Sequence, residues 1–176
     1  MASATKNQDH PMVGKKAPAF TLKNGAGKQS TLGDLIRHGE VVLYFYPKDM
    51  TPGCTKEACD FRDSSPALKK AGVQVIGISG DSAESHQKFA DKYALTFPLL
   101  SDPDHKVAKA YGVWQKKSLY GRQFMGIVRT TFLIDRRGVV RRVFPKVRVD
   151  GHASAVLDAL REIKESDPRR GSQDQK

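Results

Sequence analysis

The apolar positions of this chain fall into short runs that are separated by segments with helical spacing. Two runs are continuous and rich in β-branched residues, VVLYFYP over 41–47 and GVQVIGIS over 72–79. Runs of this kind are typical of central strands that are covered on both faces. Each run is followed by a segment with helical spacing. Alternating strands and helices predict an α/β domain with parallel strands and right-handed crossovers.

The helix after the first run is predicted to begin at Cys54 and to extend to about Asp63. Ser65 and Pro66 resemble an N-cap followed by a first-turn proline, so a break or restart of the helix is expected there. Four further helices are predicted, within 31–38, 81–93, 102–111 and 152–164.

The remaining segments flank this core. Two short strands joined by a turn at Asn24 and Gly25 are predicted within 17–31, as an N-terminal β-hairpin extension. Residues 113–126 are expected to form an irregular surface loop. The segments IVRTTFLID and VVRRVF, separated by DRRG, predict an antiparallel hairpin added to the parallel core, and their alternation places Arg129 in the middle of a strand.

The length of 176 residues suits a single domain with a substantial hydrophobic core. We expect this domain to span 13–165, between disordered tails at 1–12 and 166–176. The sequence has no run of about 18 apolar residues, and its first residues lack the apolar segment of a secretory signal. A location in the cytoplasm is therefore expected.

The net charge of +11 would favour nucleic acid or anionic surfaces through a salt-sensitive attraction. The basic residues are nevertheless spread along the chain, and the densest cluster lies around one predicted turn, at Arg136, Arg137, Arg141 and Arg142. This scatter argues against nucleic-acid binding as the main function.

The two cysteines, Cys54 and Cys59, lie five positions apart. A disulfide across so short a loop restricts little of the unfolded chain, so the pair is a poor framework for a secreted fold. Two cysteines also need histidines to complete a structural zinc site. The histidines are scattered without ligand spacing, at His10, His38, His86, His105 and His152. We expect no metal or organic cofactor, and redox or nucleophilic chemistry is the leading use of the sulfurs.

Cys54 stands where a buried strand gives way to a helix, within the stretch YFYPKDMTPGCTKEACDFR. Unsatisfied N–H groups and aligned peptide dipoles at a helix N-terminus stabilise the thiolate, which is the form of cysteine that attacks. Gly53 allows a close approach of the backbone, and Thr51 offers a hydroxyl to the sulfur or to a bound oxygen. The alternatives are that Cys54 is a small buried hydrophobic residue and that Thr51 is only an N-cap.

Cys59 lies too far from Cys54 for a disulfide within an intact helix. Five helical steps separate two Cα atoms by about 8.7 Å, whereas a disulfide needs them within about 7 Å. If the disulfide forms, one or both helical turns between the two cysteines must unwind. Cys54 reacts first, and the unwinding follows. The alternative is that Cys59 is a buried packing residue.

Arg129 is the remaining candidate for the same site. A cation within an apolar strand is costly to bury unless an anion meets it, and a thiolate is such an anion. The alternative is an exposed face on which Arg129 is solvated or paired with a carboxylate.

These residues together resemble the peroxiredoxins, and specifically the peroxiredoxin Q or bacterioferritin comigratory protein group. The family motif of proline, three residues, threonine or serine, two residues and cysteine stands here as Pro47, Thr51 and Cys54. Further matches are CTKEACDFRD, SDPDHKVAKAYGVW and RTTFLID, whose arginine is Arg129. The resemblance covers about residues 13–163.

The resemblance implies a thioredoxin-like α/β fold with a central mixed sheet flanked by helices. It also implies a thiol-dependent peroxidase that reduces hydrogen peroxide and organic hydroperoxides and is itself reduced by thioredoxin or a similar dithiol. By this resemblance Cys54 is the peroxidatic cysteine and Cys59 the resolving one. Thr51 and Arg129 would polarise the peroxide, and Pro47 would shield the pocket. A monomer without a cofactor is implied as well.

Three other functions fit these residues less well. A dithiol-disulfide oxidoreductase favours Cys-x-x-Cys, in which the sulfurs meet without unwinding. A cysteine phosphatase would favour an arginine six positions after its nucleophile, where Asp60 stands here and would repel phosphate. The third rival is a basic nucleic-acid-binding or chaperone-like protein in which the cysteines only sense oxidation.

Overall fold

The computed structural model describes residues 10–166 of the chain. The predicted tails lie outside the described residues over 1–9 and 167–176. Residues 10–14 form turns, in which the Val13 amide donates to the His10 carbonyl at 3.0 Å. No helix within the described range is both long enough and apolar enough to cross a bilayer.

The described residues contain nine strands. They are β1 (Thr21–Asn24), β2 (Gln29–Thr31), β3 (Glu40–Phe45), β4 (Val73–Ser79), β5 (Leu99–Ser101), β6 (Trp114–Leu119), β7 (Arg122–Ile127), β8 (Thr130–Ile134) and β9 (Val140–Phe144). The helices are α1 (Leu32–Arg37), α2 (Pro52–Lys70), α3 (Ala83–Tyr93), α4 (Lys106–Ala110) and α5 (His152–Ser166).

A seven-stranded mixed sheet forms the centre of the fold, in the order β2-β1-β5-β4-β3-β8-β9. Strands β3, β4 and β5 run parallel to one another. The pairs β1–β2 and β8–β9 are antiparallel hairpins that join this core through antiparallel contacts with β5 and β3. The predictions of an α/β domain, a parallel core, an N-terminal hairpin and an added hairpin near the C-terminus are therefore confirmed.

Both faces of the sheet are covered, as the continuous apolar runs predict. Every residue of β3 is buried. One hydrophobic cluster joins β3 to α2 and α5, and it includes Cys54, Phe61 and Val156. A second cluster on the other face includes Leu32 of α1 and Val107 of α4. Cys54 is thus attached to the hydrophobic core and not to a peripheral loop.

The register between β3 and β8 determines where the candidate residues meet. The strands are antiparallel, and Phe45 near the end of β3 lies opposite Thr130 at the start of β8. Because one strand begins where the other ends, Arg129 lies at the same sheet edge as the loop that leads from β3 to α2. The candidate site residues lie at that edge.

The predicted break at Ser65 and Pro66 is wrong. Helix α2 is 19 residues long and continues through Pro66 without a break. Phe61 and Leu68 lie on either side of the proline, two turns apart, and both are buried in the same cluster. Packing of this helix face outweighs the hydrogen bond that a proline cannot donate.

The prediction of an irregular loop over 113–126 is also wrong. Strands β6 and β7 pair there as an antiparallel hairpin, turning at Tyr120 and Gly121, which have φ of 51° and 77°. A two-residue turn with positive φ at both positions suits the twist of a hairpin. Most side chains of the two strands are exposed on both faces. The apolar alternation from which a strand is predicted is therefore missing.

Arg129 lies between β7 and β8, and its predicted position in the middle of a strand is wrong. The Val128 amide donates to the Val113 carbonyl at 2.8 Å, and the Arg129 carbonyl accepts from Val147 at 2.9 Å. The chain changes pairing partners at these two residues, from the separate β6–β7 hairpin to the central sheet. This change lets Arg129 turn towards α2.

Candidate active site

Cys54 occupies the first turn of α2, close to the point where the loop after β3 ends. Thr51 is the N-cap residue, and Pro52 is the first residue of the helix. A proline suits that position because its missing N–H would have had no partner inside the helix. Only 2% of Cys54 is exposed. The first-turn N–H groups and the helix dipole therefore act on a sulfur that is largely shielded from water.

Arg129 meets the sulfur of Cys54 directly. Its Nη2 atom lies 3.3 Å from Cys54 Sγ, and its Nη1 atom lies 2.7 Å from Glu57 Oε1. Gly53 leaves room for this approach, since a Cβ atom there would lie 3.3 Å from Nη2. A guanidinium that is 15% exposed and in contact with the thiol stabilises negative charge on the sulfur.

Glu57 is a site residue that the sequence reasoning missed. It follows Cys54 by three positions, so both side chains lie on the buried face of α2, with Ala58 and Phe61. Burial raises the pKa of the Glu57 carboxyl to about 7, and the neighbouring Arg129 charge offsets part of the rise. A carboxylate within an otherwise apolar helical stripe was the signal in the sequence that could have revealed it.

The Glu57 carboxyl has one engaged and one open oxygen. Oε1 accepts from Arg129, whereas Oε2 is buried and has no hydrogen-bond partner among the described residues. Near neutral pH the group is therefore balanced between a neutral acid and a carboxylate. As a carboxylate, Glu57 competes with Cys54 for the positive charge of Arg129.

Thr51 and Pro47 lie at the two ends of the loop between β3 and α2. Thr51 is the N-cap residue by its backbone, but its side chain makes no capping hydrogen bond. Its hydroxyl donates instead to the Lys48 carbonyl at 2.9 Å. No described residue donates a hydrogen bond to this hydroxyl oxygen, which therefore keeps its two acceptor positions. Pro47 is half-buried and follows the last buried residue of the strand run.

Cys59 lies on the same unbroken helix as Cys54. Both thiols are free, with Cys54 buried and Cys59 partly exposed. In a regular helix their Cα atoms are about 8.7 Å apart, too far for a disulfide. Any bond between the two sulfurs therefore requires α2 to unwind at its N-terminal end.

A second polar group that the sequence reasoning missed lies beside the loop. Ligand-capable atoms of Asp49, Asp81 and His86 lie within 4.8 Å of one another. The three residues come from the loop after β3, the segment after β4 and helix α3. No sequence spacing connects them, so no motif could have indicated the group.

Proteins that are similar to this chain in sequence carry the name peroxiredoxin. The sequence profile of the AhpC/TSA family matches residues 13–143. A bcp sequence of Coxiella burnetii is 55% identical over 148 residues, which cover 84% of this chain and 97% of that protein. Peroxiredoxin Bcp of Bacillus subtilis is 46% identical over 153 residues, which cover 87% of this chain and 97% of that protein.

A solved structure extends the comparison to the fold. The bacterioferritin comigratory protein of Xanthomonas campestris, described with its alkyl peroxide reduction activity, superposes with a TM-score of 0.77 at 43% identity. The match covers 82% of this chain and 91% of that one. It confirms the expected thioredoxin-like fold, with a central mixed sheet flanked by helices.

Proposed function

Since the chain belongs to the AhpC/TSA family and is a thiol-dependent peroxidase, we propose that Cys54 is the sulfur that attacks the peroxide. The observation that carries this assignment is the 3.3 Å contact between Arg129 Nη2 and Cys54 Sγ at the start of a helix. A cation and a helix N-terminus both favour the thiolate that the reaction needs. The alternative of a basic, redox-sensing nucleic-acid-binding or chaperone-like protein is not supported by the relatives, which carry the names of peroxidases.

The first step transfers one oxygen atom to Cys54. The thiolate attacks an oxygen of ROOH, the O–O bond breaks, and Cys54 becomes a sulfenic acid. The departing alkoxide or hydroxide takes up a proton and leaves as alcohol or water. Arg129 and the first-turn N–H groups of α2 stabilise the negative charge that develops on the departing oxygen. Thr51 contributes the open acceptor positions of its hydroxyl to orient the peroxide, and Pro47 shields the sulfur from solvent.

The second step joins the two sulfurs. The thiol of Cys59 condenses with the Cys54 sulfenic acid, which releases water and forms a disulfide. Because both residues lie on α2, the first turns of the helix must unwind before the sulfurs meet. An external dithiol, thioredoxin or a protein like it, then reduces the disulfide and restores both thiols.

Substrates and assembly follow from the same site. We assign hydrogen peroxide and organic hydroperoxides as substrates, in keeping with the alkyl peroxide reduction described for the Xanthomonas campestris protein. Both sulfurs come from one helix of one chain, so a monomer suffices for the cycle. A reducing compartment such as the cytoplasm supplies the dithiol that the cycle consumes.

The test is peroxide consumption in the presence of a thioredoxin system. Cys54→Ser is expected to abolish it. Cys59→Ser is expected to consume one peroxide per chain and then to stall, because the sulfenic acid has no resolving partner. Multiple turnovers by Cys54→Ser would overturn the assignment of the attacking sulfur. Uninterrupted turnover by Cys59→Ser with the same reductant would overturn that of the resolving one.

A further inference from the structure

The loop between β3 and α2 is held at Asp49 by three side-chain contacts. Asp49 is 4% exposed, and its Oδ1 atom accepts from the Tyr46 hydroxyl at 2.6 Å. Its Oδ2 atom accepts from the Ser85 hydroxyl at 2.8 Å and contacts His86 Nδ1 at 2.7 Å. Burial keeps the pKa of Tyr46 well above its usual value, so this phenol is a hydrogen donor. Both carboxylate oxygens are thus engaged.

His86 anchors this contact to the parallel core. Its side chain is fully buried, and Nε2 lies 3.0 Å from the Leu100 carbonyl. A carbonyl oxygen only accepts, so Nε2 carries a hydrogen and donates. The ring therefore spans from Asp49 to β5. The loop is attached through one imidazole to a strand that takes no part in the cysteine chemistry.

A second contact holds the backbone of the same residue. The Asp49 amide donates to Asp81 Oδ2 at 2.8 Å. That carboxylate oxygen also accepts from the Ser79 hydroxyl at 2.6 Å, at the end of β4. Two elements outside the loop therefore hold Asp49, since its side chain binds α3 and its backbone binds the segment after β4.

The spacing of Asp49, Asp81 and His86 would also suit a metal ion, but their atoms are already committed. Both Asp49 oxygens and both His86 nitrogens have protein partners. Asp81 Oδ2 has two donors of its own. A buried polar group with its hydrogen bonds complete is stable without an ion and costly to pull apart. The geometry therefore favours an anchor over a metal site.

The residue after the anchor carries backbone strain. Met50 has φ of 66°, in the left-handed region that a side chain with a Cβ rarely adopts. Such a conformation persists only where the surroundings enforce it. Asp49 provides that constraint on one side and the start of α2 on the other. Release of Asp49 would allow Met50 to relax, and the relaxation would be transmitted to Cys54 four residues later.

We propose that Asp49 and His86 form an anchor that positions Cys54 for attack and opposes the unwinding of α2 that brings Cys59 to it. This inference rests on the proposed function, in which Cys54 attacks and Cys59 resolves. It adds two positioning residues that touch neither sulfur. A strong anchor prolongs the folded sulfenic acid and so leaves time for a second peroxide to oxidise it to the sulfinic acid. A weak anchor speeds the disulfide.

The test measures how Cys54 is divided between disulfide and sulfinic acid over a series of peroxide concentrations, by mass mapping after a rapid quench. Asp49→Asn replaces one acceptor oxygen by a donor that faces other donors. His86→Gln keeps a donor near the position of Nε2 and loses the contact with Asp49, whereas His86→Asn keeps one near Nδ1. Tyr46→Phe removes one donor without adding a new group. Gln74→Leu, which loses its 2.6 Å bond to the Leu35 carbonyl on another element, is the matched control.

Asp49→Asn and His86→Gln are expected to raise the peroxide concentration that overoxidises half of Cys54 by about tenfold, the size of one charge-assisted hydrogen bond. Both should also slow the first oxidation of Cys54. Tyr46→Phe should act in the same direction but less strongly. His86→Asn should act less strongly than His86→Gln, because it keeps the contact with Asp49 and loses only the one with the Leu100 carbonyl. Gln74→Leu should stay near wild type.

The pattern across the series decides the proposal. An unchanged division in Tyr46→Phe and His86→Gln, or the same shift in Gln74→Leu, would overturn it. Equal effects of His86→Gln and His86→Asn would also overturn it, because a general loss of packing would then explain both. If wild-type protein forms no disulfide between Cys54 and Cys59, the proposed function itself fails. If the disulfide forms but the expected shifts are absent, only the proposal of the anchor fails.

Discussion

Arg129 Nη2 lies 3.3 Å from Cys54 Sγ, although the two residues are 75 positions apart in the chain. The same guanidinium binds Glu57, one turn after Cys54 on α2. One cation therefore links the sulfur of Cys54, a carboxyl with a raised pKa and the start of β8.

Removal of Arg129 is expected to slow the oxidation of Cys54. Arg129→Ala should lower the second-order rate constant with hydrogen peroxide by about a hundredfold, since a donor aimed at developing charge is lost. Arg129→Lys should lower the rate constant less, because lysine keeps the positive charge but lacks the planar guanidinium with its two donor nitrogens. Thiol loss after rapid mixing measures both.

An exposed arginine provides the control for net charge. Arg37 has a side chain that is 80% exposed, and it lies on α1, away from Cys54. Arg37→Ala should leave the rate constant unchanged. Equal rate constants for Arg37→Ala and Arg129→Ala would contradict the role given to Arg129.

Formation of the disulfide is expected to reduce the helix content. Cys54 and Cys59 cannot bond while the first turns of α2 are intact, so far-UV circular dichroism should lose signal as the bond forms. Addition of a dithiol should restore the signal. Cys59→Ser, treated with one equivalent of peroxide, should keep its full helix signal. A disulfide confirmed by mass mapping without any loss of helix would contradict the unwinding step.

The pH dependence of the oxidation rate is expected to reflect Glu57. Burial raises the pKa of its carboxyl to about 7. Below that pH the group is neutral, and the charge of Arg129 acts mainly on Cys54. Above it, the carboxylate draws on the same charge and weakens the stabilisation of the thiolate. A plot of the rate constant against pH should therefore have an inflection near pH 7, above which the rate constant is lowered.

Glu57→Gln isolates this contribution. The amide keeps an acceptor for Arg129 but does not titrate, so the inflection near pH 7 should vanish. The measurement is the second-order rate constant between about pH 5.5 and 8.5. The same inflection in both proteins would show that Glu57 does not cause it.

Stability towards acid is expected to depend on His152. Burial, together with the charge of Arg129, lowers the pKa of this imidazole from 6.5 to about 4. The folded state thus holds the ring neutral, whereas the unfolded chain protonates it below about pH 6.5. Stability should fall as the pH drops from 6.5 towards 4, by up to about 3 kcal/mol from this residue.

His152→Gln is expected to flatten that pH dependence. Glutamine retains a donor for the Thr131 hydroxyl, which lies 2.8 Å from His152 Nε2, and cannot be protonated in this range. His38 is exposed, so His38→Gln serves as the control and should keep the wild-type slope. Denaturant midpoints from pH 4.5 to 7.5 measure the difference. A slope in His152→Gln as steep as in the wild type would contradict the assignment.

Much of the fold follows from local sequence patterns. The run over 41–47 predicts a central strand because it is apolar on both faces, and β3 is buried throughout. Thr31 predicts the N-cap of a short helix, and its hydroxyl accepts from Asp34 at 3.1 Å. The exposed β6–β7 hairpin could not be predicted in the same way, because exposed strands show no apolar periodicity.

Within the site, the sequence by itself determined the position of Cys54 at the junction of a strand and a helix, and its separation from Cys59. Both are local properties of consecutive residues. Only the tertiary structure decided that Arg129 lies between two strands and meets the sulfur, that Glu57 shares this cation and that His86 binds Asp49. These contacts join segments far apart in the chain. They form because strand order and register bring the segments to one sheet edge, where burial makes each charged group require a partner.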